Sequence, residues 1–204
     1  MDSLESQLIT DHETPFPLFA EWFAEALDYD GIKDATAMTV ATVDSDHQPW
    51  TRVLLLKGHG EDGFTFFTNS NSIKGDQLTP DAKVSLCFYW PPLDKQVRIN
   101  GTAKRVSSEE SDEYFASRPR ESQVGAWASK QSTELDQRRT LMDRVDEYAA
   151  KFEGGEVPRP DFWNGYRVTP DLIEFWLSRP HRLHERLMYI RESDATWTQK
   201  GLYP

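Results

Sequence analysis

The stretch AMTVATVDSDHQPWTRVLLLKGHGEDGFTFFTN, positions 37–69, leaves this chain little choice of fold. It holds three apolar runs, Ala37 to Val43, Thr51 to Lys57 and Gly63 to Thr68, rich in Val, Leu, Phe and Thr. The turns between them, DSDHQP and GHGEDG, are too short for a crossover helix, so successive strands must run antiparallel. The reading is a meander. A βαβ nucleotide fold is excluded by the same connections, and the sequence has neither a GxGxxG nor a P-loop.

The flanking segments extend this pattern. PFPLFAEWFAEALDYDGI places Phe19, Trp22, Phe23 and Ala26 on one helix face, with Gly31 as the expected terminator. After the meander, a short helix is expected from Lys74 to Leu78, ending before Pro80, then strands Lys83 to Trp90 and Lys95 to Val106. Ser107 stands three residues before Glu110, the spacing of a capping box. Its helix should end near Arg118, because Pro119 restricts the residue before it and opens a second helix carrying Ser122 toward Trp127. Glu134 to Phe152 reads as a charged surface helix and FEGGEVPRPDFW as a loop. Tyr166 to Val168, Leu172 to Trp176, Arg186 to Glu192 and Trp197 to Gln199 read as strands. Many short antiparallel strands with helices outside predict a mainly β chain with α additions, a Greek-key-like barrel with peripheral helices. One domain should span 1–204, with 1–14 a flexible polar segment.

Charge narrows the function. A formal net charge of -11 at pH 7 disfavours nucleic acid and anionic membranes as partners. Any anionic ligand must therefore rely on local clusters of Arg and Lys. No window is long and apolar enough to cross a bilayer, and the opening MDSLESQLITDHETPF lacks the form of an export signal. The lone Cys87 in VSLCFYW cannot form an internal disulfide and reads as a core residue. A cytoplasmic protein is the expectation.

Several cationic clusters stand out. On the strand RVLLLK, Arg52, Leu54 and Leu56 share one face, and Val53, Leu55 and Lys57 the other. Cations at the ends of a core strand are also common at barrel rims. FFTNSNSIKGD combines a strand end, hydroxyl and amide side chains, Lys74 and a helix start, which fits either an anion site or an ordinary capped turn. Tyr114 and Arg118 share a helix face, with Ser122 just past Pro119. A phenol, a guanidinium fork and a hydroxyl can converge on phosphate oxygens, although spacing alone favours a surface helix whose arginine pairs with a carboxylate. In EFWLSRPHRLHER, an extended backbone would point Arg182, His184 and Arg186 the same way. His181 and His184 do not form a zinc site, since no ligand-spaced partner set accompanies them.

Taken in order, RVLLLK, FFTNSNSIKG, QVRINGTAKR, SRPRESQVGAWASKQS and EFWLSRPHRLHER closely resemble the pyridoxamine 5'-phosphate oxidase family, from about Ala37 to the C-terminus. The resemblance implies an FMN-binding split β-barrel, homodimeric, with FMN at the subunit interface and each site drawing on both chains. It implies FMN contacts from Arg52, Val53, Leu54, Leu55, Leu56 and Lys57, then from Phe67, Thr68, Ser72 and Lys74. Gln96, Gln131, Ser132, Trp176 and Arg186 complete that set. Lys57, Tyr114, Arg118 and Ser122 match the group that holds the substrate phosphate, and Arg182 and His184 match the catalytic pair that brackets the substrate ring. The implied reaction oxidises pyridoxamine or pyridoxine 5'-phosphate to pyridoxal 5'-phosphate, with dioxygen as final acceptor and hydrogen peroxide released.

Two departures accompany the match. Ile73 stands where relatives commonly have an arginine before the lysine, and MDSLESQLITDHE has no counterpart of the arginine–tyrosine segment that can cover the substrate. The missing cover leaves two alternatives: a related FMN oxidase acting on tricyclic phenazine intermediates, or a non-catalytic protein that binds flavin or pyridoxal phosphate.

Overall fold

The computed structural model describes residues 9–10, 12–78 and 82–204. The expected helix stop at Pro80 and most of the expected flexible segment lie outside them. Strands β1 (Ala37–Val43) and β2 (Pro49–Leu55) form the first hairpin, paired from Ala37–Leu55 to Val43–Pro49. The meander goes no further. After β2 the chain makes a short strand, β3 (Gly58–Gly60), which turns back onto β4 (Gly63–Asn69). Helix α2 (Ile73–Gln77) leads to β5 (Ala82–Trp90) and β6 (Lys95–Arg105). Three helices follow, α3 (Ser108–Ala116), α4 (Arg120–Ala128) and α5 (Arg138–Lys151), before β7 (Trp163–Leu177), β8 (Glu185–Arg191) and β9 (Trp197–Gly201).

The sheet order is β2-β1-β5-β6-β7-β4-β3, with β8 and β9 branching from β7. Its two ends, β2 and β3, are consecutive in the chain. Leu56 still donates its N–H to Thr36 O beside β1 (2.8 Å), and Lys57 already donates to Thr65 O on β4 (2.8 Å). One peptide step therefore carries the backbone from one edge of the sheet to the other and closes the barrel.

Strand β7 holds the second half together. Its start pairs with β4 and its end with β8, while β6 runs beside it from Tyr166 to Leu177. The two strands expected here are one, because Thr169-Pro170-Asp171 forms a bulge: Asn100 faces Leu172, Gly101 faces Pro170, and Asp171 is the extra residue. A side chain at Gly101 would bring its Cβ to 2.3 Å from Thr169 O, so glycine permits this approach.

Helix α1 (Pro15–Asp28) closes one end of the barrel. Phe19, Trp22, Phe23 and Ala26 form its buried face, as the spacing predicted, and Leu18 joins them. Phe19 meets Phe64 and Phe88 edge-on at 4.8 and 5.3 Å, and Trp22 meets Phe175 at 5.3 Å. The helix ends at Asp28, before Gly31, on an extended Tyr29. At α3, Ser107 Oγ accepts from Glu110 N at 3.1 Å. The Glu110 side chain pairs with Arg167 (2.7 Å). Helix α5 begins at Arg138, later than expected, where Asp136 accepts from Gln137 N and Thr140 Oγ1 and holds the preceding residues in a loop. Cys87 lies half-buried on β5, its thiol pushed up by burial and drawn down in part by Arg98.

Phe19 is 1 % exposed and touches strands on both sides of the barrel. Replacing it with Ala should cost about 3–5 kcal/mol; urea unfolding of the variant should show a lower midpoint with little change in slope.

Candidate active site

The α3–α4 corner stands over the end of β4. Tyr114 stacks on Phe67 at 4.2 Å and 20°, and Phe67 stacks on Trp163 at 5.2 Å and 10°. The Arg118 guanidinium lies over the Trp163 ring at 4.7 Å and near Phe115 at 5.5 Å. Its Nη1 is buried and has no hydrogen-bond partner among the described residues. Burial pulls Arg118 below its ordinary pKa, and the Tyr114 phenol opposes this. A buried guanidinium nitrogen without an acceptor is costly, and an anion in front of it would remove the cost.

A cleft of about 860 Å³ opens there. From β2 it receives Val53, Leu54, Leu55 and the following Lys57; from β4, Phe67 and Thr68. Tyr114, Arg118, Ser122 and Gln131 line the opposite side. The structure thus gathers ten of the expected site residues around one cavity. Among the described residues no carboxylate lines it. Trp163 and Ser117 also line it and were missed by the sequence reading, which left Trp163 in a loop; an aromatic adjoining a strand was the one available signal.

Beside the cleft sits a second polar cluster. Ser72 caps α2, its Oγ accepting from Gly75 N (3.3 Å) and from Lys74 Nζ (3.1 Å). Lys74 Nζ also donates to Gln131 Oε1 at 3.0 Å. Gly75 is required here, since an added Cβ would lie 2.1 Å from Ser70 O. Arg52 Nη1 donates to Thr42 Oγ1 (2.6 Å) and to the carbonyls of Val40 and Trp50 (3.2 Å each). Neither cation makes an ion pair among the described residues. Lys74 is 7 % exposed, and burial together with the Arg52 charge lowers its pKa to about 8. A buried Lys74 beside a half-buried Arg52, with hydroxyl and amide groups but no carboxylate, suits a phosphate. The donor set therefore fits the FMN phosphate, and the aromatic and apolar walls fit a flat ring system. Ile73 is 41 % exposed and faces a separate groove with Trp50 and Asp76.

Other expected residues lie elsewhere. Leu56 is 3 % exposed and belongs to the barrel core. Ser132 lies beyond the cleft, in a small groove with Gln131. Gln96, Trp176 and Arg186 stand in one cross-strand row over β6, β7 and β8. Arg186 Nε donates to Glu174 Oε1 at 2.8 Å, and its Nη1 to Tyr203 O at 2.9 Å. Glu174, 2 % exposed, also binds Arg98; burial alone would raise its pKa, but hydrogen bonds and charge from Arg186 and Arg98 lower it. His184 packs on Trp176 at 4.7 Å. None of Gln96, Trp176, Arg182, His184 and Arg186 lines the cleft of the same chain. The HRLHER segment is not extended: Pro180–Arg182 forms a 3-10 turn with His181 and Arg182 at φ 59° and 63°, so the expected common direction of Arg182, His184 and Arg186 fails.

Comparison with known proteins bears on these two groups. Residues 27–152 match the family model described as pyridoxamine 5'-phosphate oxidase, and residues 163–204 that of the pyridoxine 5'-phosphate oxidase C-terminal dimerisation region. The chain is 46% identical over 203 residues to a pyridoxine/pyridoxamine 5'-phosphate oxidase of Chelativorans sp., covering 100% of this chain and 97% of the relative. It is 51% identical over 199 residues to one of Caulobacter vibrioides, covering 96% and 87%. Among solved structures, PhzG from Burkholderia lata, in complex with tetrahydrophenazine-1-carboxylic acid, superposes with TM-score 0.90 at 32% identity, covering 100% and 98%. An FMN-binding protein of Nostoc punctiforme at 16% identity and TM-score 0.74 shares the fold.

The lowered pKa of Lys74 gives a pH signature. Its folded value lies below its ordinary 10.5, so the ligand-free protein gains stability as pH rises from about 8 toward 10.5. An FMN phosphate held at Lys74 would restore its charge, so FMN binding should then take up a proton in that window. Affinity should fall by up to about ten-fold per pH unit above about 8. Fluorescence titration of FMN across this range checks it, and Lys74→Met should bind more weakly with a flat profile.

Proposed function

Because the chain belongs to the pyridoxamine 5'-phosphate oxidase family, we propose that it oxidises pyridoxamine or pyridoxine 5'-phosphate to pyridoxal 5'-phosphate with FMN as cofactor. The alcohol and dioxygen yield the aldehyde and hydrogen peroxide; the amine additionally consumes water and releases ammonia. The observation that carries the reading is Arg118 Nη1, without a partner among the described residues, in a cleft it shares with Lys57, Tyr114 and Ser122. A phosphate is what that group lacks.

In this reading FMN, when bound, accepts the two electrons removed from the substrate carbon. Arg52, Ser72, Lys74 and Gln131 hold its phosphate, and Val53, Leu54, Leu55, Phe67 and Thr68 line the space beside it. Arg118 supplies a fork to the substrate phosphate, Ser122 and the Tyr114 phenol supply hydroxyls, and Lys57 adds charge. The Phe67–Trp163 stack fixes Tyr114 and Arg118 in place, which converts binding energy into orientation. The protein is a homodimer, and Gln96, Trp176, Arg182, His184 and Arg186 are supplied to the cleft across the interface. Their separation from the cleft within one chain supports that division. Arg182 orients the substrate ring and His184 is its hydrogen-bonding neighbour.

A phenazine-type substrate finds support in the likeness to PhzG. Identity is higher to the vitamin B6 oxidases, and a substrate without phosphate has no use for the full anchor. A single domain over 1–204 is the reading supported by one sheet in which β6, β7 and β4 join both matched regions. No helix of the described residues is long and apolar enough to cross a membrane, and the lone Cys87 supports a cytoplasmic setting.

Purified FMN-loaded protein should convert both phosphorylated substrates aerobically, forming pyridoxal 5'-phosphate and peroxide in equal amounts. Flavin that stays oxidised with either substrate in the absence of oxygen would overturn the reading. Arg118→Ala should raise KM for pyridoxine 5'-phosphate about 10- to 100-fold, the loss of one or two charged hydrogen bonds, with FMN content nearly unchanged. Loss of flavin at unchanged KM would remove Arg118 from the phosphate anchor.

A further inference from the structure

The turn between β7 and β8 is held in a conformation its own residues disfavour. His181 and Arg182 both lie in the left-handed region, and neither is glycine. Such backbone persists only where the surroundings over-determine it. Here the ties are specific. Ser178 N donates to Asp94 O (2.8 Å), and Leu183 N to Pro180 O (3.2 Å). Arg179 supplies two of these: its backbone N–H donates to His184 Nδ1 at 3.1 Å, and its Nε to Glu185 Oε1 at 2.5 Å, among the described residues. The other Glu185 oxygen accepts from Ile9 N at 2.9 Å, bringing the N-terminal segment onto the same residue.

One consequence is chemical. A backbone N–H is always a donor, so His184 Nδ1 must present a lone pair, and the neutral ring carries its proton on Nε2. The imidazole held against Trp176 is thus a hydrogen-bond donor at Nε2 and has no free lone pair there. We propose that Glu185 is a positioning residue: by clamping Arg179, it holds the Pro180–Leu183 turn and fixes His184 as the Nε2–H tautomer. The proposal rests on the reading of Arg182 and His184 as the pair that faces the substrate ring. Glu185 has no competing duty toward Arg186, whose Nε is taken by Glu174. The Arg179–Glu185 pair is partly buried, with side chains 25% and 22% exposed, and so is shielded from solvent.

The test reads the tautomer directly. Nitrogen-15 NMR of the imidazoles in the FMN-loaded protein, at alkaline pH and assigned with His184→Gln, should show His184 protonated at Nε2. In Glu185→Ala the signal should move toward a mixture of tautomers, and kcat should fall about ten-fold or more while FMN content and KM stay close to wild type. Glu185→Gln keeps an acceptor but loses the ion pair, and should fall between; it also serves if the alanine variant does not fold. A wild-type ring protonated at Nδ1, or an unchanged tautomer in both variants, overturns the proposal. If the wild-type protein oxidises neither substrate but the tautomer shifts as expected, the clamp stands and the substrate assignment fails instead.

Discussion

The structure depends on a single backbone step. Between Leu56 and Lys57 the chain leaves its partner strand on one edge of the sheet and joins the strand on the other. Without that switch β2 and β3 would be two open edges, each presenting unpaired N–H and C=O groups. With it the barrel closes and the side chains sort themselves. Leu56 turns into the core, while Val53, Leu55 and Lys57 face out into the cleft. The same residues that close the fold therefore furnish one wall of the site.

The opposite wall depends on β7. Its first residues hold the end of β4 through Asn164, whose Nδ2 donates to Ser70 Oγ (3.1 Å) and to Asp161 O (3.0 Å). Asn164 is 1 % exposed, so these bonds are shielded from water and fix the FTNSNS turn beneath Lys74. Its last residues carry Trp176 into the row shared with Gln96 and Arg186, and Glu174 into the next row beside Arg98. The bulge at Gly101 and Pro170 lies between the two halves. One strand thus serves two groups of expected site residues that a single chain keeps apart, the arrangement that the proposed two-protomer site requires.

What the sequence revealed follows the range of the interactions involved. The Ser107 cap, the buried face of α1 and the alternation along β2 are set by neighbours within a few residues, and the structure has them where the pattern put them. The Tyr114–Arg118–Ser122 grouping was visible as spacing, but its meaning depends on Trp163 and Phe67, which arrive from distant strands. Pro170 reads locally as a strand break; the bulge that absorbs it requires Gly101 on another strand. The alternating Arg182, His184 and Arg186 look extended, yet Asp94, Arg179 and Glu185 bend the segment into a left-handed turn. Local chemistry named these residues, and tertiary contacts decided their geometry.

The charge distribution carries the functional argument furthest. Carboxylates outnumber cations in this chain, 34 to 23, and many arginines have taken one: Arg159 pairs with Asp112, Arg167 with Asp62 and Glu110, and Arg98 and Arg186 with Glu174. Arg52, Lys74 and Arg118 have none among the described residues, although Lys74 is buried and both arginines are half-buried. Burying like charges near one another without a counter-ion destabilises the folded chain, and a random acidic surface would have supplied one. In the proposed site the counter-ion would come with the ligands. Two phosphates, one on the cofactor and one on the substrate, would neutralise the two cationic clusters separately, and each would stabilise the fold as it binds. An acidic protein can in this way select phosphorylated molecules: its outer field repels anions in general, and only those able to occupy a carboxylate-free cavity recover the cost.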